Sequence, residues 1–290
     1  MRKDYRIWAL RIAWLSLPFT AGDVFDDALA LASRSVQITA AVGLWFFWAL
    51  GLVLSLIPLA SLLTPVRVLT PMTLVVVVWG GFEAGASPMV IVAACISLVI
   101  LALSLTPHVG FWYINGSSYG DEVRVPLRPP GLILLGPIPI AWAGIGITLL
   151  SAPMLLADKQ WVAGVLIVGI GGICSIIAFR SLHSLTQRWL VFVPAGIVIH
   201  DPLMLADPFL VKRGGIKSIG LAFSDSTGKD LSMSSLGLAV EIHLTEPAEI
   251  AIQIRPKMGS ELSMVTSFIV SASRPSVVLA EARRRSIPVR

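Results

Sequence analysis

The sequence predicts an integral membrane protein: an α-helical bundle of about five transmembrane spans, or six if the N-terminus also crosses, followed by a small all-β sandwich or barrel domain with a C-terminal helix. The chain is 56% hydrophobic and only 13% charged, whereas soluble domains are about 25% charged. Charge is also uneven, with ten Lys and Arg among residues 1–180 and twelve in the shorter remainder. We therefore expect three regions: 1–35, a transmembrane bundle at 36–180, and a β domain at 181–290.

Long uncharged stretches predict the spans, because a helix needs about 20 apolar residues to cross a bilayer core. Lipid offers the backbone no hydrogen-bond partner, so each stretch has to satisfy its own polar groups as a helix. Arg67 is expected to separate the first two spans, and residues 80–88 to form the turn after the second. The predicted spans are 38–62, 68–82, 89–105, 131–157 and 161–179.

The N-terminal segment has two interpretations. Residues 7–19 are apolar and aromatic, but Arg6 and Arg11 lie on them and Pro18 interrupts them. One interpretation is an amphipathic helix in the headgroup region. The other is a sixth, short span, in which Arg11 would have to reach the interface or find a partner.

Orientation depends on that choice. If residues 7–21 cross, most basic residues of the membrane region fall on one side: Arg2, Lys3, Arg67, Arg124, Arg128, Arg180 and Arg188. The acidic Asp23, Asp26 and Asp27 then fall on the other side with Arg34 and Lys159. This positive-inside pattern predicts a cytoplasmic C-terminal domain. With only five spans the basic residues divide almost evenly.

The predicted spans contain no ionisable residue, which argues against proton-coupled transport and voltage sensing. The ionisable residue nearest to a predicted span is Glu83, which is either an interfacial turn residue or a cation or proton site. Lipid or apolar transport stays open, because the fourth span carries Gly131, Gly136 and Pro137. Such residues form either an ordinary kink or the broken helix of a transporter site.

Close helix contact is predicted by two pairs of small residues, Gly144 with Thr148 and Gly171 with Ser175, at the spacing that lets helices approach. The pairs do not say whether the partner helix belongs to this chain. A homo-oligomer or another protein partner through the membrane helices is therefore expected as an alternative to contact within the chain.

The loop 108–130 places Arg124 and Arg128 beside Asp121 and Glu122. It is either a solvated loop or a headgroup site.

The C-terminal domain is predicted from alternating hydrophobicity and turn residues. Pro275 is expected in the first turn of a terminal helix capped by Ser273, with Arg283–Arg285 at its C-terminal end, where cations favour the helix dipole. The expected strands are 188–193, 197–200, 209–212, 216–223, 238–244 and 248–254, with a polar loop at 224–235.

This order of elements over 186–288 resembles a bacterial pleckstrin-homology-like domain. The whole chain resembles multi-pass membrane proteins of unknown function from high-GC Gram-positive bacteria. The segments that carry the second resemblance are 119–122, 126–130 and 191–202. The resemblance implies a β domain following transmembrane helices, and it implies no activity or site.

No catalytic motif, metal-ligand spacing or cofactor fingerprint stands in the sequence, so we expect no cofactor and no metal, and an enzyme is disfavoured. The basic residues are scattered, which disfavours nucleic acid. Lys212, Arg213 and Lys217 surround a Gly-Gly turn and are either a solvated strand edge or, with Arg124 and Arg128, a site for anionic headgroups or an acidic segment.

The leading hypothesis is a non-enzymatic scaffold or regulatory component of the cell membrane, whose β domain binds a protein or a lipid headgroup at the surface. The alternative is a transporter or lipid-handling component that uses the Gly/Pro-broken fourth span. A polar cavity at that span would favour transport, and a closely packed bundle with an exposed patch on the β domain would favour the scaffold.

Overall fold

A computed structural model describes residues 5–85, 87–223, 225–253 and 259–290. Arg2, Lys3, Ser224 and Ile254, which entered the predictions above, lie outside the described residues. The chain forms two compact units, each built from two segments. One unit comprises Met1–Tyr113 and Pro139–Leu182, and the other comprises Ile114–Ile138 and His183–Arg290.

The first unit is helical and begins with α1 (Tyr5–Ala28). Ser33 caps the second helix and Ser87 the fourth, each accepting a hydrogen bond from a backbone N–H in the first turn. The last helix of the unit contains a π-helical segment at Ile167–Gly171. The other helices are α2 (Arg34–Leu56), α3 (Leu63–Ala84), α4 (Pro88–Leu105), α5 (Pro107–Asn115), α7 (Pro137–Ala157), α8 (Trp161–Leu166) and α9 (Gly172–Thr186), whereas the short α6 (Gly131–Leu135) belongs to the second unit.

Five helical stretches of the described chain are long and apolar enough to cross a membrane: 34–56, 60–84, 88–105, 131–157 and 161–186. Each overlaps one of the five stretches predicted from the sequence, but two predicted boundaries were wrong. The first predicted span, 38–62, corresponds to α2, which ends at Leu56 because Pro58 lacks an N–H and disfavours helix at Ile57. Arg67 lies inside α3 and does not end a span; its Nε donates to the Ser104 carbonyl at 3.4 Å.

The N-terminal helix α1 is packed into the first unit along its whole length. Its buried residues recur at alternating steps of three and four: Ile7, Leu10, Trp14, Leu17, Ala21 and Val24. This spacing places them on one stripe. Near its start, Arg11 donates to the Ser55 carbonyl on α2 at 3.1 Å. Near its end, Ala21 packs against Val77 of α3 and Ala93 of α4.

The second unit is β-rich. Its strands are β1 (Val123–Pro126), β2 (Trp189–Val193), β3 (Gly196–His200), β4 (Phe209–Lys212), β5 (Ile216–Leu221), β6 (Lys229–Asp230), β7 (Val240–Gln253) and β8 (Ser260–Val270). They form two four-stranded sheets in the orders β1-β2-β3-β4 and β5-β7-β8-β6. The terminal helix α10 (Pro275–Arg284) completes the unit, with Val278 and Ala282 fully buried.

Strand β1 comes from the loop between the third and fourth predicted spans, for which the sequence predicts either a solvated loop or a headgroup site and no strand. It pairs antiparallel with β2, with Val125 opposite Leu190. Beyond β1, Leu127 bridges to Ala272 just after β8. Residues 123–128 therefore join the two sheets, and Val125 and Leu127 lie in the domain core.

Three further differences appear in the C-terminal domain. The predicted strands 238–244 and 248–254 are one long strand, β7, whose register shifts between His243 and Ala248. Strand β8 was not predicted. Ser273 does not cap α10: its hydroxyl has no hydrogen-bond partner, and its N–H donates to the Pro126 carbonyl instead.

Candidate anion-binding pocket

A polar pocket of about 290 Å³ lies in the second unit, where the β2–β3 turn, the turn after β4 and the C-terminal end of α10 meet. Arg213 enters it because β4 ends at Lys212 and the chain turns through Arg213–Gly215 into β5. The backbone N–H of Arg213 donates to the Ala195 carbonyl at 2.9 Å, which fixes this turn against the β2–β3 turn. The lining residues are Asp121, Val193, Pro194, Gly196, Arg213, Arg284, Arg285 and Ile287.

Two of the three arginines in this pocket are paired. Glu281, one turn earlier on α10, accepts Arg284 Nη2 and Arg285 Nε, each at 2.6 Å. Arg284 Nη2 also donates to Asp121 Oδ1 at 2.7 Å, and Arg285 donates to the Asp121 carbonyl. A cation at a helix C-terminus is favoured by the helix dipole, which is the role the sequence predicts for residues 283–285.

The pairing shifts the carboxyl groups toward their charged forms. The hydrogen bond from Arg284 lowers the pKa of Asp121. Burial raises the pKa of Glu281, but the hydrogen bonds from Arg284 and Arg285 outweigh it, so that this pKa lies below its ordinary value. The same hydrogen bonds, first from Glu281 and then from Asp121, raise the pKa of Arg284. All of these groups are therefore ionised at neutral pH.

Arg213 differs from its neighbours. Its side chain is exposed, and in the part of the chain that the structure describes no hydrogen bond or ion pair engages its guanidinium. Three guanidinium groups face two carboxylates, Asp121 and Glu281, so one positive charge is left over at Arg213. A guanidinium presents paired N–H donors that match the oxygens of a phosphate or carboxylate.

The structure separates the five basic residues that the sequence grouped as a candidate site. Of these, only Arg213 lines the pocket. Lys212 is exposed at the end of β4, opposite Gly196 of β3. Lys217 is exposed at the register shift of β5.

Arg124 and Arg128 stabilise the fold. Arg124 forms an ion pair with Glu122 at 2.8 Å and lies over the Trp189 ring at 5.2 Å. Arg128 donates to the carbonyls of Leu236 and Leu238 at 2.9 and 3.3 Å. Gly237 between them has φ +100° and no room for a side chain beside the Arg128 guanidinium.

Two further clusters of charged groups in the unit have buried members. Arg188 and Asp201 form a bidentate ion pair at 2.9 and 2.7 Å, and both side chains are 1% exposed. Glu241 on β7 pairs with Arg290 and lies 3.2 Å from His243 Nε2. Burial raises the pKa of Glu241, but its hydrogen bonds and the nearby His243 and Arg290 lower it by more. The pKa of Glu241 therefore lies below its ordinary value.

Sequence reasoning missed Arg284 and Arg285 as pocket residues, because their approach to Arg213 depends on long-range packing. It also missed the role of Asp121, although the charge run 121–124 was noted.

Glu83 lies exposed in the last turn of α3. Among residues 5–85, 87–223, 225–253 and 259–290, no three His, Cys, Asp or Glu side chains are grouped to hold a metal ion.

Comparisons of the chain with models of known protein families, with curated proteins and with solved structures find no match. The function is therefore inferred from the geometry of this chain.

Proposed function

We propose that this protein is a non-enzymatic, multi-pass component of the cell membrane whose β-rich domain binds an anionic lipid headgroup through Arg213. The observation that supports this most directly is the unpaired guanidinium in a pocket whose other arginines are held by Glu281 and Asp121. A phosphate ester supplies the charge and the acceptor oxygens that this group lacks. The pocket volume of about 290 Å³ suits a group of headgroup size.

The route of the chain favours a lipid over a soluble partner. The chain passes between the helical and the β-rich unit at residues 113–114, 138–139 and 182–183. A domain tied three times to membrane helices cannot diffuse away from the bilayer surface. Basic residues near an anionic leaflet gain about 1 kcal/mol each, so an anionic headgroup is the ligand at highest local concentration.

The membrane arrangement that we propose has six crossings, with α1 as the first. The partners of Arg11 support it: the side chain binds the Ser55 carbonyl and lies about 5 Å from the Trp8 and Trp112 ring centres. These contacts offset the cost of a charge near the end of a span. Six crossings put both termini on one side, and the positive-inside rule makes that side the cytoplasm.

The order of the sheets and the terminal helix supports the resemblance to pleckstrin-homology-like domains as part of this proposal. A meander of three consecutive strands, β2-β3-β4, faces a second sheet, and α10 buries Val278 and Ala282 against the domain. Strand β1 is an addition from the membrane region. Fold resemblance alone carries no function, so the ligand is argued from the pocket.

Ligand-dependent unfolding of the full chain tests the headgroup proposal. The protein is purified in an uncharged detergent and heated with dihexanoyl phosphatidylglycerol, dihexanoyl phosphatidylcholine or glycerol phosphate. A ligand that binds only the folded state raises the unfolding temperature. We expect phosphatidylglycerol to raise it and phosphatidylcholine to leave it unchanged; stabilisation by glycerol phosphate alone would identify the free phosphate ester as sufficient.

Matched variants make this test specific. Arg213→Gln removes the unpaired charge, and Lys229→Gln removes an equally exposed charge on β6, outside the pocket. We expect Arg213→Gln to abolish the stabilisation and Lys229→Gln to keep it. Equal responses of both variants would overturn the proposal. Reporter fusions at the two termini test the crossings, and reporters on opposite sides would refute six.

A further inference from the structure

The helical unit contains an elongated cavity of about 700 Å³, bounded by α1, α2, α3 and α7. A smaller cavity of about 270 Å³ adjoins it between α1, α2 and α3. The two share six lining residues: Phe25, Leu44, Phe47, Met72, Val76 and Leu150. The cavity lies beside α7, the part of the fourth predicted span that follows its Gly136-Pro137 break.

The walls of this cavity offer little to a polar solute. Among the described residues that line it, a polar side-chain group is carried only by Thr39, Trp79, Trp142 and Ser151. The Ser151 hydroxyl donates to the Ile147 carbonyl of its own helix at 2.6 Å. The rest of the lining is apolar, which favours an apolar occupant over water or ions.

The dimensions of the cavity select among apolar occupants. Its lining on α7 extends from Pro139 to Met154, which is about 22 Å at 1.5 Å per residue. A volume of about 700 Å³ over that length corresponds to a width of about 6 Å. A single hydrocarbon chain matches this width, whereas a helix with its side chains is about 10–12 Å wide.

Small residues create this space. Ala40 and Gly43 on α2 face Ala143 and Gly146 on α7 across the cavity. A Cβ built at Gly43 meets nothing within 4 Å, and one at Gly146 meets only the Met72 side chain, at ordinary contact distance. The cavity volume at these positions therefore depends on the small side chains there, and one larger side chain would occupy part of it.

We propose that this cavity binds one acyl chain of a membrane lipid, lying along α7. The proposal rests on the membrane insertion proposed above, because the surrounding bilayer supplies the ligand. It does not depend on the arginine pocket. Three observations carry it: three of the four wall helices, α2, α3 and α7, are candidate spans, the lining is almost entirely apolar, and the mean width matches a hydrocarbon chain.

Photolabelling tests this site. The full chain in detergent is irradiated with palmitic acid carrying a diazirine, and labelled peptides are mapped by mass spectrometry. We expect label on the cavity faces of α3 and α7, at residues such as Val76 and Leu150, which are only partly exposed, and competition by unlabelled palmitate that saturates. Label spread over the outward faces, or label that palmitate does not displace, would overturn the proposal.

Two glycine variants make the comparison quantitative. Gly43→Leu fills the cavity, whereas Gly144→Leu adds the same atoms on α7 at a position that does not line it and also has open space. We expect Gly43→Leu to reduce labelling about tenfold, since about four carbon atoms of the chain lose their contacts. Gly144→Leu should label like the natural protein. Equal labelling of the two variants would contradict the site.

Further controls separate this result from misfolding and from the headgroup proposal. The unfolding temperature of each glycine variant is measured, and if Gly43→Leu does not fold, Ala143→Val replaces it as a smaller change on the opposite wall. Arg213→Gln should label normally, since its pocket lies in the other unit. A loss of labelling in Gly43→Leu accompanied by loss of a dimer would show a protein occupant and overturn the proposal.

Discussion

Two arginines of the β-rich unit show how the same side chain is used for opposite purposes. Arg188 is 1% exposed, and all three of its guanidinium nitrogens donate, two to Asp201 and one to the Arg128 carbonyl. Arg213 is exposed, and its guanidinium has no partner in the part of the chain that the structure describes. The first is part of the folded core; the second is available to a ligand. Exposure and pairing, rather than residue type, distinguish a structural from a binding arginine.

The contrast extends to the segment 114–138, which links the two sheets from within the membrane region. Asn115 Nδ2 donates to the Arg124 carbonyl at 2.7 Å, and Asn115 Oδ1 accepts the Arg124 N–H at 2.9 Å. These bonds start β1, and its continuation closes on Ala272. The connection between the two sheets thus depends on residues that lie far from the other strands in sequence.

The largest effect is expected from removing that segment. A fragment of residues 183–290 lacks β1 and the buried Val125 and Leu127, which leaves β2 with an unpaired edge. We expect no cooperative unfolding transition for this fragment by circular dichroism. Joining residues 114–130 to it through a flexible linker should restore the transition. Full stability of 183–290 alone would show that β1 is dispensable.

The next largest effect is expected at the buried ion pair. Asp201→Ala leaves the Arg188 charge buried without its partner, which typically costs about 3–5 kcal/mol. Thermal unfolding of the full chain measures this loss. Replacing both partners with leucine should recover much of it, because an apolar pair leaves no uncompensated charge. If the double variant is as unstable as Asp201→Ala, the hydrogen-bond geometry of the pair itself stabilises the fold, and an apolar pair cannot replace it.

How far the sequence predicts this protein depends on the range of the interactions. The five apolar stretches were found because lack of charge is a local property, and Pro275 correctly marked the start of α10. Strand β1 was missed because four residues carry almost no periodicity, and their pairing with β2 spans more than sixty positions.

For the pocket, the sequence singled out Arg213 as a basic residue at a Gly-Gly turn, and its role in binding stays a prediction. Arg124 and Arg128 were grouped with it only by charge, and the structure engages them with Glu122 and with two carbonyls. Whether a cation is free or paired depends on contacts between distant residues, such as Arg284 with Asp121, and no local pattern reports those.

A smaller effect is expected from acid. The pKa of Glu281 in the folded protein lies below its ordinary value of 4.5, so its contribution to stability is complete above pH 4.5 and is lost as the pH falls through the folded pKa. We expect the unfolding free energy to fall less steeply below pH 4.5 in Glu281→Gln than in the natural chain. The exposed Glu261→Gln serves as the control. Identical slopes for Glu281→Gln and the natural chain would place the acid sensitivity elsewhere.

The smallest effect on stability is expected at Arg213. An exposed side chain without partners contributes within about 0.5 kcal/mol, so Arg213→Gln should unfold at the same temperature as the natural chain when no lipid is present. Such a result assigns any loss of lipid binding in this variant to the pocket and not to the fold. A large destabilisation would show that Arg213 is structural, like Arg188.

The most direct test of the account is a competition between lipids for the same protein molecules. The natural chain and Arg213→Gln are each incubated with equal amounts of phosphatidylglycerol and phosphatidylcholine, and native mass spectrometry counts the lipids retained. We expect the natural chain to retain an excess of the anionic lipid and Arg213→Gln to lose that excess while retaining lipid overall. The same excess in both proteins would contradict the assignment of Arg213 as the headgroup ligand.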